Sequence, residues 1–114
     1  MLTEMGIAAK KASRFLATAT TEQKDNALNE IAKGLIKDTE NILLANEKDI
    51  KNGKENGLSD SLLDRLALTV KRIEDISKGV LEIIELTDPV GKIDAEFTRP
   101  NGLNIKKVRV PMGV

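Results

Sequence analysis

Residues 99–114, RPNGLNIKKVRVPMGV, decide how the chain is read. Asn101-Gly102 is the strongest short-range hairpin signal available, because both residues tolerate the positive φ of a type I′ turn. Before the turn, Ile93, Ala95 and Phe97 alternate with Lys92, Asp94 and Glu96, the period of a half-buried strand. After it, Leu103 and Ile105 share one phase while Val108 and Val110 share the other. A slip of one residue flips side chains to the opposite face. The return arm is therefore expected to bulge near Lys106-Lys107, or to leave one sheet for another. The run then passes through Pro111-Met112-Gly113-Val114 without a closing polar tail, as a strand entering a larger sheet does. A two-stranded ribbon is marginal in water by itself, and bare apolar edges invite pairing with another chain. The expectation is that these residues form the front of a longer protein, and that the ribbon needs a partner.

Upstream of Pro89 the period is helical. Leu2, Met5, Ala8, Ala9, Ala12, Phe15 and Leu16 recur at three- and four-residue intervals as one apolar stripe. Thr20 followed by Gln23 fits a capping box and opens a second helix, with Ala27, Leu28, Ile31, Ala32 and Leu35 as its inner face. Asp38 is expected to cap a third, carrying Ile42, Leu43, Asn46 and Ile50 inward and ending at Gly53 to Gly57, two glycines suited to left-handed positions. Ser59 caps a short turn with Leu62, Leu63 and Leu66. Thr69 caps the last helix, in which Val70, Ile73, Ile76, Val80, Ile83 and Ile84 keep the period until Asp88-Pro89 ends it. The fold class is thus α+β: a bundle of about four to five helices, then a β-hairpin.

Composition narrows the function. At 114 residues there is room for one domain. Eighteen basic and eighteen acidic side chains give a net charge of +0, against nucleic acid as the main partner. Aromatics are 2% of residues, so any core is aliphatic and alanine-rich. Without Cys or His there is no disulfide, no thiolate or imidazole metal ligand, no Ser-His pair and no imidazole base. No secretory signal and no apolar run near the ~20 residues of a membrane span is present, so the expected location is the cytoplasm.

Each candidate site has a plainer explanation. Residues 46–60, NEKDIKNGKENGLSD, are rich in oxygen ligands, but an EF-hand loop fails in both registers. With Gly53 sixth, Lys48 stands first; with Gly57 sixth, Leu63 stands where a bidentate Glu is required. The segment reads as the solvated end of a helix. Gly53-Lys54 and Gly91-Lys92 lack the earlier glycine of a phosphate loop, having Lys48 and Leu86 there, and no GxGxxG occurs. Lys106, Lys107 and Arg109 beside Arg99 are candidates for an anion site, though lysines more often guard a strand edge. The carboxylates Glu74-Asp75 and Asp94/Glu96 sit among lysines on polar faces. The residues present therefore assign no catalytic, no cofactor-binding and no metal-ligating role.

With these strings in order, the chain resembles the N-terminal part of γ-glutamyl phosphate reductase (glutamate-5-semialdehyde dehydrogenase). The likeness is carried by residues 43–50 (LLANEKDI, with Asn46 and Asp49), 56–69 (NGLSDSLLDRLALT), 88–91 (DPVG) and 98–114 (TRPNGLNIKKVRVPMGV). The resemblance implies the aldehyde dehydrogenase superfamily, with a Rossmann-like cofactor domain, a catalytic cysteine and a β-arm for oligomerisation. It implies NADPH-dependent reduction of L-glutamyl 5-phosphate to the semialdehyde in proline biosynthesis: a thiolate attacks the acyl phosphate and hydride reduces the thioester. The balanced charge, the lack of a membrane-length apolar run and the missing Cys and His give the matching expectations of no nucleic acid, no membrane and no metal. Residues 1–88 would pack on the cofactor domain, and 89–114 would form the arm leading into it, assembling a homo-oligomer through a hairpin over 92–110. No catalytic residue of the family maps onto this sequence, so the 114 residues are expected to be inactive alone. Two other readings compete: a free-standing helical module that uses its hairpin for β-addition to a partner, and a regulatory fragment that binds the reductase.

Overall fold

The computed structural model describes residues 1–113. In chain order these form α1 (Leu2–Leu16), α2 (Thr21–Lys37), α3 (Thr39–Glu55), α4 (Asp60–Leu66), α5 (Val70–Ile84), β1 (Ile93–Thr98) and β2 (Asn104–Val108). They fall into two compact units, one of residues 25–86 and one of residues 1–24 with 87–114.

In the 25–86 unit, local chemistry sets the helix limits. Ser59 accepts a hydrogen bond from the Leu62 N–H at 3.4 Å, and Thr69 accepts from the Arg72 N–H at 3.1 Å, each satisfying a donor of the first turn. At the end of α3, Gly57 takes φ +75°. The Gly57 N–H then reaches the Lys54 carbonyl and the Leu58 N–H the Gly53 carbonyl, both at 3.0 Å, as in a Schellman motif. Gly53 departs from expectation. It is helical and buried, and a Cβ there would lie 2.9 Å from Leu58 Cδ1 and 3.0 Å from Leu63 Cδ2. Its missing side chain lets α4 and its leading loop close on α3. Asp38 stands at the start of α3 but makes no capping bond. The Thr39 hydroxyl instead donates back to the Leu35 and Ile36 carbonyls, joining α3 tightly to α2.

Ile73 and Ala32 are fully buried hydrophobics of this unit, at 1% and 2% exposure. They sit beside two buried polar side chains. The Ser77 hydroxyl donates to the Ala32 carbonyl at 3.0 Å, tying α5 to α2. Asn46 on α3 donates to the Leu66 carbonyl at 3.0 Å and accepts from the Leu68 N–H at 2.7 Å, holding the α4–α5 link. The inner face of α3 is the expected one: Ile42, Leu43, Asn46 and Ile50 are all at least half-buried. Of the expected inner face of α2, Leu28, Ala32 and Leu35 turn inward. Ala27 and Ile31 are exposed, as are Val70, Ile76 and Ile83 on α5, because the apolar stripes are wider than the surface that packs on them.

In the other unit, α1 forms over the expected residues yet buries none of them; Leu2, Met5, Phe15 and Leu16 stay largely exposed. The capping box is realised at the start of α2. The Thr20 N–H donates to Gln23 Oε1 at 2.9 Å, and the Gln23 N–H to Thr20 Oγ1 at 3.1 Å. The hairpin closes differently from a type I′ turn. Asn101 keeps negative φ and only Gly102 is left-handed, at +85°. The Arg99 N–H pairs with the Leu103 carbonyl at 2.8 Å and the Gly102 N–H with the Arg99 carbonyl at 2.9 Å, giving a three-residue loop. Pro100 explains the change: a two-residue loop would ask it to donate across the ladder, and it has no N–H. The bulge also lies elsewhere. Ile93 pairs with Val108 and Ala95 with Lys107, so the extra residue is Asp94 on β1, across from the expected place. Both strands thereby change phase together, and Ile93 joins Val108 on one face. Residue 114, the end of the quoted stretch, lies outside the described residues.

Candidate functional site

The hairpin has two unlike faces. Glu96 stands opposite Lys106, and Thr98 opposite Asn104. Lys106 Nζ lies 3.5 Å from Glu96 Oε1, which also accepts from Asn104 Nδ2 at 2.9 Å. At the bulge Arg109 Nε donates to both oxygens of Asp94, at 3.1 and 2.9 Å, and the carboxylate raises the Arg109 pKa further. On the opposite face Phe97 faces Ile105 and Ala95 faces Lys107, with the Arg99 guanidinium 5.4 Å above the Phe97 ring. The four cations considered for an anion site therefore do not converge. Lys106 and Arg109 are neutralised by cross-strand carboxylates, while Lys107 and Arg99 sit on the aromatic face.

Asp88 anchors the base of the ribbon. Its carboxylate accepts from Lys24 Nζ at 2.5 Å, the Thr21 hydroxyl at 2.8 Å and the Val90 N–H at 3.0 Å. Residues 88–91 thus act as a clasp on the first turn of α2. The helix stop expected there comes earlier, at Glu85. Lys24 chiefly, then the Val90 amide and the Thr21 hydroxyl, lower the Asp88 pKa from 3.8 to about 2. A carboxyl depressed on folding adds stability above its unfolded value and loses it as pH falls through its folded one. The clasp is thus complete at neutral pH and weakens between ordinary carboxylate pH and about 2. A carbon-detected NMR titration should give Asp88 a midpoint near 2, and Lys24→Ala should move it upward. An ordinary midpoint in the unaltered chain would show that the clasp does not form in solution. Beside it, a groove of about 390 Å³ runs past Leu16, Val90, Pro111 and Met112, with Lys24 as its one charged residue. That lining offers no acid–base pair.

The other sequence candidates behave as ordinary surface. Residues 46–60 are the C-terminal turns of α3 and the loop after it, and no cluster of acidic groups fit for a metal occurs among the described residues. Asp75 pairs with Lys71 one turn away. Among the described residues no helix is long and apolar enough to cross a membrane. The sequence did not reveal the roles of Asp88, Ser77 or Arg72. Arg72 donates to the Asp64 and Ala67 carbonyls at 2.5 and 2.6 Å. For Ser77 and Arg72 the only local hint was a polar residue set within an apolar stripe, and for Asp88 its place before Pro89.

No family model matches the chain. Curated relatives do. The chain is 56% identical over 106 residues to the gamma-glutamyl phosphate reductase of Desulforamulus reducens, covering 93% of the chain and 26% of that protein. To the same-named protein of Anoxybacillus flavithermus it is 53% identical over 105 residues, covering 92% of the chain and 25% of the relative. It therefore spans about a quarter of the length of these relatives. The crystal structure of gamma-glutamyl phosphate reductase from Thermotoga maritima superposes with a TM-score of 0.92 at 40% identity, over 96% of this chain and 27% of that one. The Saccharomyces cerevisiae structure of the same name gives 0.82 at 36% identity, over 90% and 26%. In sequence and in fold the chain is a homologue of the gamma-glutamyl phosphate reductases, matching their N-terminal region.

Proposed function

We propose that the chain supplies the N-terminal part of a cytoplasmic, NADPH-dependent reductase that converts L-glutamyl 5-phosphate to L-glutamate 5-semialdehyde in proline biosynthesis. The observation carrying this reading is the agreement of sequence and fold with reductases of that name along almost the whole chain. The described residues hold no thiolate and no glycine-rich phosphate cradle, so they do not fit the nicotinamide cofactor, and no chemical step is assigned to them.

Their part is architectural. Residues 1–88 form a helical layer against the cofactor-binding domain, and 89–114 the arm that leads into it and joins copies through the hairpin over 92–110. Exposed Leu2, Met5, Phe15 and Leu16 on α1 suit a layer that packs on a further surface. A free-standing helical module needs such faces covered by its own helices, and α1 has no buried residue.

The test is a graft. Residues 1–113 replace the matching quarter of an active gamma-glutamyl phosphate reductase, and NADPH oxidation is followed with L-glutamyl 5-phosphate. Turnover within about tenfold of the parent is expected, a barrier change of no more than ~1.4 kcal/mol. A chimera that folds and assembles like the parent yet does not turn over would count against the reading.

A further inference from the structure

Three glycines follow an asparagine in this chain, at Asn52-Gly53, Asn56-Gly57 and Asn101-Gly102. An asparagine in that position is open to attack by the next backbone nitrogen, since glycine has no Cβ to hinder the approach. For the ring to close, the glycine nitrogen must swing onto the asparagine Cγ, and the peptide between them must leave its folded conformation. What that movement costs differs from pair to pair.

At Asn52 it costs most. The residue is helical, its carbonyl accepts the Asn56 N–H at 2.9 Å, and Gly53 is buried against Leu58 and Leu63. At Asn56 the movement undoes the Schellman turn, in which the Gly57 and Leu58 amides both bond back into α3. Leu58, which packs on Gly53, would be pulled away with it. At Asn101 it costs least. Asn101 and Gly102 are exposed at the tip of a ribbon with no fully buried residue in either strand. Release there gives up the Gly102–Arg99 hydrogen bond and no packed side chain. Asn101 Oδ1 also accepts the Leu103 N–H at 3.1 Å, which draws electron density from Cγ, the atom to be attacked.

We infer that the fold directs spontaneous deamidation to Asn101, making the hairpin tip a site of covalent modification. The Gly102 nitrogen, having given its proton to hydroxide, forms a bond to Asn101 Cγ. The Cγ–Nδ2 bond breaks, and that nitrogen leaves as ammonia with a proton from water. Water then opens the cyclic imide at either carbonyl, leaving an aspartyl or an isoaspartyl residue. Both products add a carboxylate two positions from Arg99. The isoaspartyl form also lengthens the main chain by one methylene, which the three-residue loop is not built to hold. The inference rests on the loop alone and not on the role proposed for the hairpin in assembly.

The test is to age the folded chain in heavy-oxygen water at mildly alkaline pH and to map the label by peptide mass spectrometry. Cleavage after glutamate puts the three pairs on different peptides. Label should enter at Asn101 about tenfold or more faster than at Asn52, and faster than at Asn56, because local opening is easiest where least is packed. In concentrated urea the three rates should converge, each asparagine then being a free Asn-Gly pair. Asn101→Ser should remove the first acidic species seen on ion exchange, while Asn56→Ser should leave it. If Asn52 or Asn56 reacts as fast as Asn101 in the folded chain, or the lead of Asn101 persists undiminished in urea, the inference is overturned. Both variants change exposed residues, and unchanged helical circular dichroism confirms folding in each.

Discussion

Replacing Ile73 by alanine should destabilise the 25–86 unit by about 2–5 kcal/mol, the cost of deleting a fully buried aliphatic side chain and leaving its cavity. Ile73 is 1% exposed, the largest fully buried side chain present. It comes from the first turn of α5, one turn before Ser77, whose hydroxyl fastens that helix to α2. A unit of about sixty residues buries too little surface to absorb such a loss easily. Urea unfolding followed by helical circular dichroism should show a clearly lower midpoint with little change in slope. Ile73→Val should cost only about 0.5–1.5 kcal/mol. Ile76→Ala, at a side chain 47% exposed in the same helix, is the matched control and should cost less than Ile73→Ala. Equal effects at 73 and 76 would mean that α5 does not face its neighbours as described.

That contrast marks how far the sequence could be read. Helix positions were legible because their signals are local: Thr20 with Gln23, Ser59, Thr69 and Gly57 each act on residues two to four positions away. Periodicity also assigned Ile73 to an apolar stripe, but it assigned Ile76 and Ile83 to the same stripe. Only the packed neighbour decides which of them is covered. Gly53 shows the same limit. Its sequence context, Asn before Gly near a helix end, matches a left-handed stop. The residue is instead a contact point for leucines five and ten positions later.

The candidate site was legible in kind more than in detail. Alternation and Asn-Gly announced a hairpin, and the change of phase announced a bulge. Placing that bulge required knowing which strand absorbs the extra residue, which depends on the partner strand. The same uncertainty hid the charge pairs, since Glu96–Lys106 and Asp94–Arg109 exist only in the observed register. Asp88 was visible as the residue before a proline. Its bond to Thr21 spans 67 positions, and no local pattern announces it.

Asn46→Ala should be the second most damaging single change, at about 2–4 kcal/mol, because it orphans two backbone groups at once. Asn46 is 8% exposed on the inner face of α3. Its amide acts in both directions, donating to Leu66 and accepting from Leu68 in the link where α4 gives way to α5. Those peptide groups cannot pair within a helix, so the side chain supplies what secondary structure does not. Arg72 holds the same link through the Ala67 carbonyl. Truncation at 46 leaves that contact in place and frees the Leu68 amide. Hydrogen exchange should therefore show lost protection at Leu68 beyond that expected from global destabilisation. The unfolding midpoint should fall well below that of a change at exposed Leu44, two positions away and 59% exposed. If Leu68 exchanges in Asn46→Ala as slowly as in the unaltered chain, the amide bridge is not what orders the link.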